Sequence, residues 1–372
     1  MGWDRVIGQE RVKELLQKIF LSGTFAHAYL FYGGEGVGKD AMAIECARAL
    51  NCHSKTEKPC GSCTSCLKIE HLQHPNVQLI VPLPIGKNEK AGDDPIEVLT
   101  HDQIEILQKQ LREKAANPYH RISIPKANFI KVNSVRQLRR DASLTGFDQG
   151  KKVFIISGAE SMNEESSNSL LKLLEEPPAD TVFILTTPQK EKLLSTIISR
   201  CQLVQFDPLR DDDIQRALVA RHLVEEEQAL LVARLAHGSY SAACEMLTLN
   251  MMEQRQETVE FLRLVLGHHH VRLIDSILEK AASNDRDTIA QWLSMLHVWL
   301  RDALILREYD ERQLVNIDHL KELKSFVEKF PRSNLPGAIE CVERSVALLD
   351  KNVYLHLILI TLAIDLRKHI IR

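Results

Sequence analysis

Two clusters of residues in this sequence have the types and spacing that chemistry requires. Gly33-Gly34-Glu35-Gly36-Val37-Gly38-Lys39-Asp40 fits the phosphate-loop pattern G-x-x-x-x-G-K-[ST] at every fixed position except the last. Gly33, Gly36 and Gly38 let the backbone turn so that successive N–H groups converge on phosphate oxygens. A following helix offers its positive end there, and Lys39 reaches the outer phosphates. A Ser or Thr at position 40 would ligate magnesium through its hydroxyl. Asp40 can itself hold a metal, but its charge repels a triphosphate, which argues against tight nucleotide binding and leaves ATP and Mg²⁺ doubtful as cofactors.

The second cluster is Cys52, Cys60, Cys63 and Cys66, four thiols within fifteen residues, with Pro59 and Gly61 permitting the tight turns of tetrahedral closure. Four thiolates make a closed structural zinc site, and an iron–sulfur cluster uses the same ligand set. Cys46, Cys201, Cys244 and Cys341 are scattered through segments that read as structured. In a reducing compartment such crowding points to metal rather than disulfides. His268-His269-His270 is no comparable set, because neighbouring residues on a helix point in different directions.

These residues need a scaffold, and the hydrophobic pattern supplies one. Val12, Leu15, Leu16, Ile19 and Phe20 are spaced for an amphipathic helix, and AYLFYGG then runs as a strand into the glycine loop and a helix. Residues 84–128 form a polar insertion with one helix near 101–115. The alternation resumes with a strand at Phe129–Val132, a helix at 134–142, a strand at 152–157, a helix at 163–175, a strand at 181–187, a helix near 190–198 and the strand QLVQF. Alternating strands and helices imply a parallel sheet covered on both faces. Beyond Pro208 the strand signal vanishes and helix follows helix to the end.

In phosphate-loop NTPases the strand that here reads Val153–Ile156 ends in an Asp for the metal, beside a Glu that activates water. Ser157 and Gly158 occupy those positions, and Glu160 lies two residues too far along. Loss of a base and a metal ligand removes on the order of 4–8 kcal/mol of barrier lowering, so efficient hydrolysis is not expected.

Taken in order, VIGQE (6–10), HAYLFYGGEGVGKD (27–40), the cysteine cluster, NSLLKLLEEPP (168–178), FILTT (183–187) and STIISRCQLVQF (195–206) resemble the AAA+ clamp-loader subunits of bacterial DNA polymerase III, the gamma/tau and delta prime proteins. The resemblance covers roughly residues 1–250. It implies a RecA-like AAA+ domain over 1–208, a small helical lid over 209–270 and a helical oligomerisation collar over 271–372. The fold class is thus α/β plus all-α. The resemblance also supports zinc, stapling an excursion from the first helix of the sheet domain.

Within the family, Asp40, the missing acids at 157–158 and Ser241, where active subunits carry the sensor 2 arginine, resemble delta prime. Ser199-Arg200-Cys201 is intact, and the likeness implies that Arg200 projects into a neighbour's nucleotide site as an arginine finger. Thr187, beside Thr186, falls where the family keeps its sensor 1 residue. Arg136, Arg139 and Arg140, with Lys131 before them, are candidate contacts to duplex phosphates. The expected partners are gamma/tau and delta subunits, the sliding clamp, and primed DNA through the assembled complex. The rival readings are an ATP-hydrolysing gamma/tau-type motor and an unrelated nucleotide-binding phosphate-loop protein.

Bulk properties agree. The 372 residues suit two or three domains, and 47 Lys and Arg against 50 Asp and Glu exclude a generally cationic nucleic-acid binder. No apolar run reaches the ~18–20 residues of a membrane span, so a cytoplasmic protein without membrane partners is expected. The last helix, with Leu355, Leu357, Ile358, Leu359, Ile360, Leu362 and Ile364, is apolar nearly all round and must bury itself in a core or against other subunits.

Overall fold

The computed structural model describes the chain except residues 1–2, 55–57, 87–88, 145–149, 223, 249–250, 283–284, 310–313, 317–318, 350, 352 and 372. Parts of the cysteine excursion (55–57), of the insertion (87–88) and of the helix expected from 317 therefore lie outside the described residues. The chain forms two compact units: Met1–Val224 with Ala236–Ala242, and Glu225–Leu235 with Ala243–Arg372.

The first unit is built on a five-stranded sheet in the order β2-β3-β4-β1-β5, all parallel, with β1 at Ala28–Tyr32, β2 at Val77–Ile80, β3 at Lys152–Ser157, β4 at Thr181–Thr187 and β5 at Gln202–Gln205. Every residue of β4 is buried, as a central parallel strand with helices on both faces demands. One face packs Leu30, Phe154, Ile156, Phe183 and Leu185 against Leu170, Leu174 and Ile197. The helices are α1 (Glu10–Ser22), α2 (Lys39–Asn51), α3 (Thr64–Glu70), α4 (His101–Ala116), α5 (Val132–Ser143), α6 (Glu164–Glu175), α7 (Ser195–Ile198) and α8 (Asp211–His222).

One expected strand moves. Phe129–Val132 contributes only an isolated bridge, Ile130 to Met162, before α5 begins, and the sheet position belongs to Val77–Ile80, upstream of the insertion. Both are short apolar runs, and periodicity alone cannot rank two such candidates. Lys131, extended at the N-cap of α5, commits the later run to a helix start. The insertion carries its helix where expected. In α4 a reciprocal Thr100–Gln103 capping box fixes the start, and Leu107 joins Val81, Leu83, Leu99 and Ile124 in a small core of its own.

The second unit is helical: α9 (Glu226–Leu235), α10 (Tyr240–Thr248, its first residues in the first unit), α11 (Met251–Leu266), α12 (His270–Ala282), α13 (Arg286–Glu308), α14 (Leu320–Lys329), α15 (Leu335–Leu349) and α16 (Leu355–Ile370). The three central helices α13, α15 and α16 share a core containing Trp292, Leu296, Leu300, Val342, Leu359 and Leu366. Asp302 is fully buried in this unit, and its Oδ2 accepts the Val315 N–H (2.9 Å), the Asn316 N–H (2.7 Å) and the Asn316 side-chain amide (2.8 Å). Asp302→Ala strands these donors away from water. It is expected to cost at least about 3 kcal/mol in chemical denaturation, with no loss of helix content before the transition.

Candidate functional site: a phosphate loop with an internal ion pair

The phosphate loop leaves the carboxyl end of β1 and opens into α2. Gly38 caps α2 with φ 101°, a left-handed backbone that glycine alone adopts freely, and a Cβ there would lie 2.8 Å from the Tyr119 hydroxyl oxygen. At Gly36, φ is 71° and a Cβ would meet Ser239 Oγ at 2.1 Å. The glycines thus admit close neighbours. The Gly36 carbonyl accepts the Tyr240 N–H at 3.0 Å, and the Lys39 ammonium turns back to donate to the carbonyls of Gly33 (2.8 Å) and Gly34 (2.5 Å). Burial lowers the pKa of Lys39, against the raising effect of Asp40, Glu35 and Glu160.

Asp40 is the hub. Ser157 at the end of β3 donates to Asp40 Oδ2 (2.7 Å), Thr186 near the end of β4 donates to Oδ1 (2.6 Å), and the Lys114 ammonium from α4 donates to Oδ2 (2.7 Å). Sheet register explains the convergence: Ser157 and Thr186 are direct neighbours across β3 and β4, so their side chains leave the same face. Lys114 is only 3% exposed and also donates to the His120 carbonyl at 2.8 Å. Burial would raise the Asp40 carboxyl, but the Lys114 charge and the hydrogen bonds from Lys114, Thr186 and Ser157 outweigh it and hold its pKa down at about 2.

A cavity of about 280 Å³ opens beside this network. Gly36, Gly38, Lys39, Asp40 and Ser241 line it, and so do Tyr119, Arg121 and Glu160. Gly33 lies behind the loop, with the Phe206 backbone against it. Thr187 does not enter: one residue beyond Thr186, it faces the other way, is fully buried and accepts the Gln189 N–H at 3.1 Å. The strand-end hydroxyl at the site is Thr186, as strand alternation could have told. Ser241 donates to the Tyr119 carbonyl at 2.6 Å. Sequence reasoning missed Lys114, Tyr119 and Arg121, all from the insertion. In α4, Lys114 is one cation among Lys109 and Arg112, and no local pattern marks it as the buried one.

Elsewhere in the same unit, Cys52 ends α2, Cys63 caps α3, Cys66 lies in its first turn and Cys60 in the loop between, with all four sulfurs within 4.8 Å of one another. Tetrahedral thiolates around zinc would stand about 3.8 Å apart. Backbone N–H groups already point at these sulfurs: Cys60 to Cys52 (3.3 Å), Cys63 to Cys60 (3.4 Å) and Cys66 to Cys63 (3.5 Å). Such donors favour thiolates, and hydrogen bonds from Ser62 and Cys63 bring the Cys60 thiol down to about 6, whereas burial pushes the Cys52 and Cys66 thiols up. The four cysteines are positioned to bind a metal ion. Cys46, by contrast, is core.

Arg200 follows α7, with its guanidinium bound to Glu175 (2.8 Å) and the Thr196 carbonyl (3.0 Å). Along α5, Arg136 pairs with Glu165 (2.9 Å), Arg140 reaches the Gly92 carbonyl (3.2 Å), and Arg139 is exposed. Lys131 does not join them: it is 4% exposed and pairs with Glu89 of the insertion at 2.8 Å. A surface role for it is therefore excluded. Among the described residues, no helix is long and apolar enough to cross a membrane.

The model of the family described as "DNA polymerase III, delta subunit" matches residues 8–210. The chain belongs to this clamp-loader family. It is 28% identical to DNA polymerase III subunit delta' of Bacillus subtilis (strain 168) over 348 residues, 93% of this chain and 92% of that protein. Subunit delta' of Haemophilus influenzae is 26% identical over 289 residues, covering 78% of the chain and 74% of the relative. Subunit tau of B. subtilis is 29% identical over 251 residues, 66% of the chain but only 37% of tau. As the family fold requires, an AAA+ phosphate-loop unit with a parallel sheet is joined to helices.

The clamp-loader chain should show its ion pair in acid. The folded Asp40 carboxyl lies at about 2 against an ordinary 3.8, so its ionisation stabilises the folded state by about 2 kcal/mol above pH ~4. That contribution disappears as pH falls through about 2. Urea unfolding at stepped pH is expected to show wild type losing this increment over that window, while Asp40→Asn lacks it.

Proposed function

We propose that this chain is the delta prime-type subunit of a bacterial clamp loader, assembling with gamma/tau and delta subunits to place the sliding clamp on primed DNA in the cytoplasm. The observation that carries the reading is the electrostatics at the loop. β3 ends in Ser157 rather than a carboxylate, and Asp40, the acid at the loop's last position, is already committed to Lys114. Such a site supports little or no hydrolysis. Similarity that runs along nearly the whole of a delta' protein, but along little more than a third of tau, supports the same assignment.

In this reading Arg200 acts in trans, its guanidinium offsetting charge on the phosphoryl group transferred in a neighbour's site. Residues 1–208 serve as the AAA+ domain, 209–270 as the lid and 271–372 as the collar. Two exposed apolar stripes support a collar role. Val271, Ile274 and Leu278 lie along α12, and Leu357, Ile360 and Ile364 along α16, at spacings of three and four residues on helices that pack together. Arg139 and Arg140, with Arg136, would follow duplex phosphates, and Gly36, Gly38 and Lys39 remain as a relic of nucleotide binding. Structural zinc is the ion that suits Cys52, Cys60, Cys63 and Cys66.

One feature favours the ATP-hydrolysing gamma/tau-type reading. Glu160 lines the cavity and its buried Oε2 has no hydrogen-bond partner among the described residues. A motor would show ATPase activity in the isolated chain that both Lys39→Ala and Glu160→Gln abolish.

Two measurements test the proposal. In a complex reconstituted with a gamma-type partner, Arg200→Ala is expected to lower the clamp- and DNA-stimulated ATPase severalfold, while Glu175→Ala, which removes the ion pair of Arg200 within its own chain, preserves it; an unchanged rate in Arg200→Ala contradicts the trans role. Elemental analysis is expected to find one zinc per chain, with Cys63→Ser losing the metal and lowering the melting temperature. Iron in its place, or no metal, sinks the zinc assignment.

A further inference from the structure

Magnesium and a nucleoside triphosphate are what a phosphate loop of this family would hold, and the residues present do not fit them. Such loops grip the metal with a hydroxyl at their last position and a carboxylate at the end of a neighbouring strand. Here the two side chains have changed places: the carboxylate, Asp40, is on the loop and the hydroxyl, Ser157, ends β3. They still meet, at 2.7 Å, and a cation is already with them, the Lys114 ammonium 2.7 Å from the same Asp40 oxygen.

That ammonium is a fixed part of the fold. Its second bond goes to the His120 carbonyl, and α4 behind it is held by its capping box and by the small core of the insertion. The chain leaving α4 is clamped as well. The Tyr119 hydroxyl accepts the Ile7 N–H at 2.7 Å, its carbonyl accepts Ser241 Oγ at 2.6 Å, and its ring stands edge-on to Tyr240. Arg121 then pairs with Glu35 of the loop at 2.8 Å. A divalent ion approaching Asp40 through the cavity would have to displace the Lys114 ammonium, a charge only 3% exposed and held by two hydrogen bonds.

We propose that the 84–128 insertion is a built-in occupant of the phosphate-loop site, with Lys114 supplying the positive charge that a divalent metal supplies elsewhere. The loop and the ends of β3 and β4 are held together by this internal cation, so the domain keeps its shape with no nucleotide present. The inference rests on the non-hydrolysing reading and extends it, by naming what replaces the ligand and which segment brings it.

The experiment is thermal unfolding of the full chain, wild type and Lys114→Met, with and without millimolar magnesium, alongside equilibrium binding of a fluorescent ATP analogue. Wild type is expected to shift by less than about 1 °C with magnesium or Mg·ATP and to show no saturable binding. Lys114→Met is expected to melt on the order of 10 °C lower and to recover part of that loss with magnesium, the free metal now taking the vacated charge. If Lys114→Met does not fold, Asp40→Asn/Lys114→Met, which removes both charges, is expected to fold. Micromolar Mg·ATP binding by wild type overturns the proposal. So does a Lys114→Met protein as stable as wild type, one that loses stability but ignores magnesium, or a double variant no better folded than the single one. The Arg200 experiment reads a neighbour's turnover and is blind to all these outcomes, so the two readings fail separately.

Discussion

The contact between Asp40 and Lys114 organises the first unit. It joins four pieces of chain far apart in sequence: the start of α2, the ends of β3 and β4, and the C-terminal turn of the insertion helix α4. Each charge needs the other in that position. Asp40 is only partly exposed, beside the cavity, and the Lys114 ammonium, at 3% exposure, is costly to hold away from water without an anionic partner. Together, with two hydroxyls donating to the carboxylate and the His120 carbonyl accepting from the ammonium, they form a network in which a largely buried ion pair is tolerated. The pair is therefore weak evidence for high stability and strong evidence for a unique arrangement of the loop.

Much of the architecture was legible because the physics behind it is local. Apolar runs of strand length alternate with helical spacing through the sheet domain, and glycines mark the loop because left-handed backbone selects them. The four cysteines announced a metal site through spacing alone, and their sulfurs do converge. What stayed hidden depends on contacts distant in sequence. The choice between Val77–Ile80 and Phe129–Val132 for the remaining strand turns on which run the insertion leaves free to pair. Lys131 and Lys114, two lysines that look solvated in sequence, are both buried in ion pairs with partners 42 and 74 residues away. Thr186 rather than Thr187 faces the site for the simplest reason, the two-residue period of a strand.

In sequence the insertion is a polar segment carrying one helix, yet it answers most of what is unusual about the loop. Its polar composition hid a small core, and that core is what lets α4 present a lysine inward. Glu89 from the same insertion pairs with Lys131 at the start of α5 and also accepts from Asn133, so the segment is tied to the sheet domain at both ends. A segment fastened in this way positions its side chains as rigidly as a helix of the core.

Exchange of the carboxylate and the hydroxyl between positions 40 and 157 makes the departures from an active loop interdependent rather than separate defects. A hydroxyl returned to position 40 alone would orphan the Lys114 ammonium, whereas a carboxylate returned to position 157 alone would set two acids against one lysine. Removing Lys114 alone leaves the half-buried Asp40 without its counter-charge. Each single step toward a metal-binding loop thus passes through a state with an uncompensated, poorly solvated charge, which is destabilising in a protein whose total stability is of order 10 kcal/mol. The three residues hold one another in place, and the loop has become a structural joint whose closure no longer depends on a ligand.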